Sequence, residues 1–345
     1  RREILQLVQF RERSLPVTYL GLPLITKRLS KVDCAPLIEK IMARANSWVS
    51  KSLSFVGRLQ LIKATLASMQ VFWCSMFNLP VSITMECERM LRNFLWGGNG
   101  QNHSVGKVKW SKVCKPMKEG GLDIKDMTSW NKALILKQKL NFWSIPSHGL
   151  HSWSWHQILL LQNTARAHLL YKCGKGDKFS LWYDPWFHGN SVHALYGHRV
   201  ICDAGMVGSE LLEEVIEGGR WSWPPRARPQ RSRDLIEIQQ KMQDIPISNA
   251  SDCIFWQTDG QAFSTKTAWQ AIRTQEDEVN WYRLVWHTLR IPKHAFCLWL
   301  TIRGAHKTRD KLLALGIVRS AGCVFNCREI EIDHMFFACP YTQKL

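Results

Sequence analysis

Three cysteines and a histidine near the C-terminus carry the clearest chemistry in the sequence. Cys323, Cys327, His334 and Cys339 follow the spacing C-x3-C-x6-H-x4-C. Thiolate sulfur and imidazole nitrogen are the ligands zinc prefers, and four of them close a tetrahedral structural site. Cys323 and Cys327 flank a short turn that can aim both sulfurs at one ion. His334 and Cys339 can share the helical turn that follows. With every position taken by protein, one structural zinc staples a fold and activates no water. The competing reading is plain packing: free cysteine is among the most buried residue types, and His334-Met335-Phe336-Phe337 could sit in a core. Cys34, Cys74, Cys87, Cys114, Cys173, Cys202, Cys253 and Cys297 show no comparable spacing and read as core or surface thiols.

Other chemistry is sparse. Polymerases and nucleases that run on two metal ions need clustered carboxylates, and no Asp-Asp pair occurs. The acidic clusters Glu213-Glu214, Glu276-Asp277-Glu278 and 329–333 read as solvated faces. No glycine-rich phosphate loop ending in Lys-Ser/Thr and no G-x-S-x-G elbow is present. Asp184 and His188, either side of Pro185, leave a hydrolytic site as a minor alternative. The charge is more telling: 46 Lys plus Arg against 28 Asp plus Glu give +18. That excess runs along the whole chain and points to a polyanion, most simply nucleic acid. Trp153, Trp155, Trp182, Trp186, Trp221, Trp223 and Trp256 could stack bases or serve as core. Trp48, Trp73 and Trp299 sit in helical apolar patterns and read as core.

The elements that must position these groups are mostly helical. Leu59, Ile62, Leu66, Met69, Trp73 and Met76 recur at threes and fours, the face of one helix, with Ser54 as N-cap and Pro80 as its stop. Helices are also expected over 83–96, 131–143, 265–273, 281–289 and 293–302, and short strands over 105–110 and 179–183. Gly174-Lys175-Gly176-Asp177 reads as a tight turn. Residues 254–256 and 262–263 flank Asp259-Gly260 as a β-hairpin. Residues 218–233, with their prolines and Arg220, Arg226, Arg228, Arg231 and Arg233, have linker composition. Residues 71–77, the longest strongly apolar stretch, fall far short of the ~18 residues of a membrane span, so no membrane partner is expected. The N-terminus has neither an initiator Met nor a hydrophobic leader, so the sequence reads as a piece of something longer.

Taken in order, the motifs resemble the C-terminal part of plant non-LTR (LINE-type) retrotransposon polyproteins. Tyr19-Leu20-Gly21-Leu22-Pro23-Leu24 is similar to the segment just after the polymerase core. Ser54-Phe55-Val56-Gly57-Arg58 with Leu61-Ile62-Lys63, Phe94-Leu95-Trp96-Gly97, Val108-Lys109-Trp110, Val113-Cys114, Gly120-Gly121-Leu122 and Trp182-Tyr183-Asp184-Pro185-Trp186 resemble successive later blocks. Phe263-Ser264-Thr265-Lys266-Thr267-Ala268-Trp269, Trp286, Ile291-Pro292-Lys293-His294-Ala295-Phe296, Trp299-Leu300 and His334-Met335-Phe336-Phe337-Ala338-Cys339-Pro340 resemble the reverse-transcriptase zinc-binding domain that ends such polyproteins.

The resemblance implies a mainly α protein with small β-hairpins (α+β). Its parts would be a connector at 1–30, a helical post-polymerase region at 31–145 and a Trp/His-rich region at 146–217. A basic linker with a short helix at 218–250 and a zinc-binding-like domain at 251–345 would follow. It implies an accessory role, binding template RNA or target DNA through Arg58, Lys63, Arg220, Arg226, Arg228, Arg231, Arg233 and Lys293. The partner would be the upstream polymerase domain of the same polyprotein. The setting would be the nucleus, with a cytoplasmic ribonucleoprotein stage. The family's paired aspartates lie upstream of the matched segment, so polymerase activity does not carry over to this chain. Plant members usually have C-x2-C where this chain has C-x3-C, a spacing that animal LINE-type proteins use. A domesticated or decayed copy acting as an RNA- or DNA-binding adaptor is the alternative.

Overall fold

The computed structural model describes residues 17–25, 27–48, 53–97, 106–137, 153–161, 165–224, 232–256, 264–325, 327 and 334–344. Helices dominate, and the named strands form three short antiparallel pairs, giving the expected α+β class. The chain divides into two compact units. One comprises Arg1–Leu37, Gln70–Thr84 and Met127–Gln275; the other comprises Ile38–Met69, Met85–Asp126 and Glu276–Leu345.

In the first unit, helix Met127–Leu136 packs between Val71–Met76 and Thr265–Ile272. Trp130 meets the fully buried Trp269 edge to face, with centroids 6.3 Å apart. Helix Met127–Leu136 also explains where the preceding helix stops. The buried Asn131 amide donates to the carbonyls of Cys74 (2.6 Å) and Phe77 (2.7 Å), while its oxygen accepts the Leu79 N–H (2.8 Å). The helix therefore ends at Met76, which is exposed, and not at Pro80. Pro80 opens the next helix instead, its carbonyl accepting from Ile83 and Thr84.

Strand Leu169–Lys172 pairs with Cys253–Trp256. Cys253–Trp256 thus has a distant partner, and the expected turn and second arm at 257–263 lie outside the described residues. Residues 179–183 do not form the expected strand. Ser180 makes one isolated bridge to Leu211, and its N–H turns back to Asp184 Oδ2 at 2.7 Å. The tryptophans here are core. Trp182 is fully buried and donates to Glu210 (2.8 Å); Trp186 is buried and stacks on Trp221 at 5.4 Å. Trp221 in turn donates to the Ile245 carbonyl, and Trp223 packs on Trp182. These four are committed to packing and are not free base-stacking platforms. Asp184 and His188 are used separately, since the His188 ring lies 3.4 Å from the Lys241 carbonyl.

Asp184 has a testable consequence for stability. Burial raises its pKa to about 6, against the Ser180 hydrogen bond and with help from the Asp252 charge. The folded-state value lies above the unfolded one. The stabilisation from protonated Asp184 is therefore complete below about pH 4 and is lost as pH rises through 6. Asp184→Asn keeps an acceptor for Ser180 and removes the buried charge. It is expected to stabilise this unit by ~1–3 kcal/mol at pH 7.5 and by little at pH 4. Thermal unfolding of both proteins at the two pH values checks this; equal shifts at both would refute the assignment.

In the second unit, Ser54 caps helix Phe55–Leu61 as the sequence suggests, accepting the Gly57 N–H at 3.2 Å. The chain then widens into a π-helical turn at Ile62–Leu66 before Ala67–Met69. Leu59, Ile62 and Leu66 stay buried through it. Residues 106–109 are not a strand: Lys112 and Val113 donate back to the Lys109 carbonyl, starting helix Trp110–Val113. Helix Pro292–Ile302 buries Ala295, Phe296, Trp299 and Leu300. Phe296 meets Phe55 and Trp96, and Trp299 Nε1 donates to the Gly120 carbonyl at 2.9 Å. Gly120 has φ +79°, and the Arg303 guanidinium and Trp281 ring fill the space a Cβ would need.

Candidate metal centre

The four sequence-nominated ligands converge. One ligand atom from each of Cys323, Cys327, His334 and Cys339 lies within 4.8 Å of every other, and this set is the one group of its kind found among the described residues. Two local turns bring them together. Cys323 donates its backbone N–H to the Cys327 carbonyl (3.3 Å), closing the first loop, and Phe325 N–H points at Cys323 Sγ (3.4 Å). The second pair sits on a π-helical turn, His334–Ala338, whose closing bond runs from Cys339 N–H to the His334 carbonyl at 2.8 Å. The five-residue spacing fits this wide i→i+5 turn, which carries Cys339 back beside His334.

The geometry suits a tetrahedral ion. Cys327 Sγ and Cys339 Sγ are 3.7 Å apart, close to the ~3.8 Å edge of a tetrahedron with 2.3 Å bonds to sulfur. The longest separation, 4.8 Å, needs about 1 Å of closure, within reach of side-chain rotation. His334 Nε2 is buried and makes no hydrogen bond among the described residues. A nitrogen without a partner beside three sulfurs is what a metal ligand leaves behind when the metal is not drawn. Without metal, the thiols hold their protons unequally. Burial, together with bonds to Cys339 and Cys323, pushes Cys327 up to about 11. Burial also acts on Cys339, but amides from Tyr341 and Thr342 outweigh it and hold that thiol below its ordinary value. Zinc is the cofactor that this donor set takes, supplying folding free energy to the segment.

The surroundings differ from expectation in one respect. Trp286, Phe296 and Trp299 are buried as foreseen, but the last two pack on Phe55, Trp96 and Gly120 rather than walling the metal loop. Phe336 is partly exposed, with the His306 ring 5.6 Å away. Phe325 and Tyr341 stack in parallel at 4.2 Å, both more than half exposed.

The nominated cations separate. Arg58 and Lys293 line one cavity. Lys63 is half-buried, lowered in pKa chiefly by that burial with Asp123 opposing. Arg220 and Arg233 are exposed in the first unit, while Arg226, Arg228 and Arg231 lie outside the described residues. Lys107, which the sequence reading missed, stands over Phe55 at 4.6 Å from the ring centroid. Only the fold brings it to Arg58, so no local spacing could have revealed it. The buried Cys34 and Cys173, both raised to about 12 chiefly by burial, are inert core thiols. Cys202, Cys253 and Cys297 are exposed.

Residues 263–345 match the family described as zinc-binding in reverse transcriptase. A putative ribonuclease H protein of Arabidopsis thaliana is 29% identical over 324 residues, covering 84% of this chain and 51% of its own length. An uncharacterized mitochondrial protein of the same plant is 22% identical over 142 residues, 34% of this chain and 92% of its own. The chain thus spans about half the length of the longer relative. Together the domain and the relatives support a retrotransposon-derived protein. Among the described residues no helix is long and apolar enough to cross a membrane.

Proposed function

We propose that this chain is the nucleic-acid-binding C-terminal region of a plant LINE-type reverse transcriptase. It would hold template RNA or target DNA for a polymerase domain of the same polyprotein, with no polymerase centre of its own. The observation that carries the reading is the closed Cys3His centre, set in a reverse-transcriptase zinc-binding domain. Four protein ligands leave no open position for water, so the metal shapes a surface and does no chemistry. The +18 charge supplies the attraction to phosphate. With this reading goes work in the nucleus after a cytoplasmic ribonucleoprotein stage.

Affinity for an oligonucleotide is expected to fall log-linearly with salt, measured by fluorescence anisotropy between 50 and about 300 mM. Replacing Arg220, Arg226, Arg228, Arg231 and Arg233 by glutamine should flatten the slope by ~0.7 for each arginine engaged with a single strand. Absence of binding in low salt, or an unchanged slope, counts against the reading.

A further inference from the structure

We infer that the cavity beside Phe55 is a site for single-stranded nucleic acid, one base lying against the Phe55 ring and the flanking phosphates meeting Arg58, Lys107 and Lys293. This rests on the nucleic-acid reading above and adds to it a place and a strand type.

The cavity, about 160 Å³, opens between the start of helix Phe55–Leu61 and the first turns of Pro292–Ile302. Its floor is aromatic and fixed. Phe55 and Phe296 stack with centroids 5.9 Å apart and planes 20° apart, and Trp96 packs against both. Phe296 and Trp96 are buried, while Phe55 keeps part of its surface in the open. Over that ring stand Lys107 Nζ at 4.6 Å and the Arg58 guanidinium at 5.4 Å from the centroid. Lys293 and the exposed thiol of Cys297 line the same cavity.

The cations are crowded and lack acids. None of Arg58, Lys107, Lys293 and Lys307 has an ion-pair partner among the described residues. Lys107 is held below its ordinary pKa first by burial and then by the Lys307 charge. Lys63 differs, since Asp123 partly offsets its burial. Positive groups gathered without counter-charge gain most from an anion, and a phosphate is a stronger partner for each than the face of a phenyl ring. Once phosphates draw Arg58 and Lys107 outward, the ring is free for a base. The cavity is too small and its ring too recessed for a base that remains paired in a duplex; an unstacked base of a single strand can reach it. An acidic peptide would satisfy the cations and leave the ring unused, which makes it the competing occupant.

Cys297 gives a direct readout on the zinc-loaded full chain. Iodoacetamide alkylation of Cys297, Cys202 and Cys253 is followed by mass spectrometry with and without a saturating 15-nucleotide oligothymidylate or oligouridylate. The expected result is selective protection: Cys297 reacts about tenfold more slowly with bound strand, while Cys202 and Cys253 are unchanged. Phe55→Leu keeps the apolar fill and should weaken binding about tenfold, as loss of one stacked base does. Replacing Lys107, Lys293 and Lys307 by glutamine should lower the salt slope by about 2 if all three meet phosphates. Bound strand that leaves Cys297 as reactive as before overturns the site and spares the nucleic-acid reading. Equal protection by polyglutamate overturns it in favour of an acidic protein partner. No binding of either strand in 50 mM salt overturns both the site and the reading.

Discussion

Cys339→Ser is expected to strip the chain of zinc and to release residues 317–344, leaving helix Pro292–Ile302 in place. The reason lies in what else holds that segment. Ile317, Val324, Phe325, Phe336 and Tyr341 are all exposed, and Cys339 is the buried hydrophobic residue at its centre. A segment with so little apolar burial has no core to fall back on. Its order depends on the metal, whose binding to small Cys/His sites supplies ~10–16 kcal/mol at neutral pH. Helix Pro292–Ile302 stands on different ground, with Ala295, Phe296, Trp299 and Leu300 buried and Trp299 hydrogen-bonded to Gly120. Metal content by mass spectrometry should fall from about one zinc per chain to about a tenth or less, since three remaining ligands bind far more weakly. Limited proteolysis should then cut beyond residue 317 first. Cys327→Ser should behave in the same way, and Cys297→Ser, outside the cluster, should change neither readout. Retained zinc in Cys339→Ser, or cleavage within Pro292–Ile302 at the same rate, would show that the four groups do not act as one centre.

The parts legible in the sequence were those encoded locally. The metal ligands fall within one short stretch, and their types are rare enough together to stand out. Ser54 sits directly before its helix, and helix Thr265–Ile272 begins within a residue of its expected start, held by a capping box between Ser264 and Thr267. The failures share a physical cause, dependence on residues far away in the chain. Residues 179–183 have strand composition, yet Asp184 and the 207–212 loop draw their hydrogen bonds into a turn. The end of Val71–Met76 was assigned to the proline that follows, when the terminator is the Asn131 side chain from another helix. Trp221 and Trp223, in a stretch that reads as a basic linker, are drawn into a core around Trp182 and Trp186 that no window of sequence contains. The joining of Arg58, Lys107 and Lys293 is of the same kind, because three separate elements supply them.

The largest loss of stability in the first unit is expected from a residue that sequence reading passed over. Asp252, 3% exposed, precedes strand Cys253–Trp256 and faces the loop that leaves the partner strand Leu169–Lys172. Its Oδ1 accepts the N–H groups of Gly174 (2.7 Å) and Gly176 (3.1 Å), and its Oδ2 those of Lys178 (3.0 Å) and Phe179 (3.2 Å). Asp177 returns the contact, accepting from Ser251 Oγ and the Asp252 N–H. One carboxylate thus organises a loop whose backbone would otherwise hold buried, unpaired donors. Gly174 and Gly176 belong to the same device: a Cβ on either would collide with backbone, at 250–252 and at 212–213 respectively, so the loop can wrap the carboxylate only with glycine there. Asp252→Ala strands four amides, and each buried unsatisfied donor costs ~1–3 kcal/mol. The expected destabilisation is at least ~4 kcal/mol, a large share of the stability of an ordinary domain. Asp252→Asn keeps one acceptor oxygen and turns an NH2 group toward two donors, so it should fall between wild type and Ala. Asp177→Ala, at an exposed site, should do far less. Denaturant unfolding followed by tryptophan fluorescence, which reports on Trp182 and Trp186 nearby in the same unit, ranks the three variants. Similar losses for Asp177→Ala and Asp252→Ala would mean that the carboxylate at 252 is not the hub of this loop.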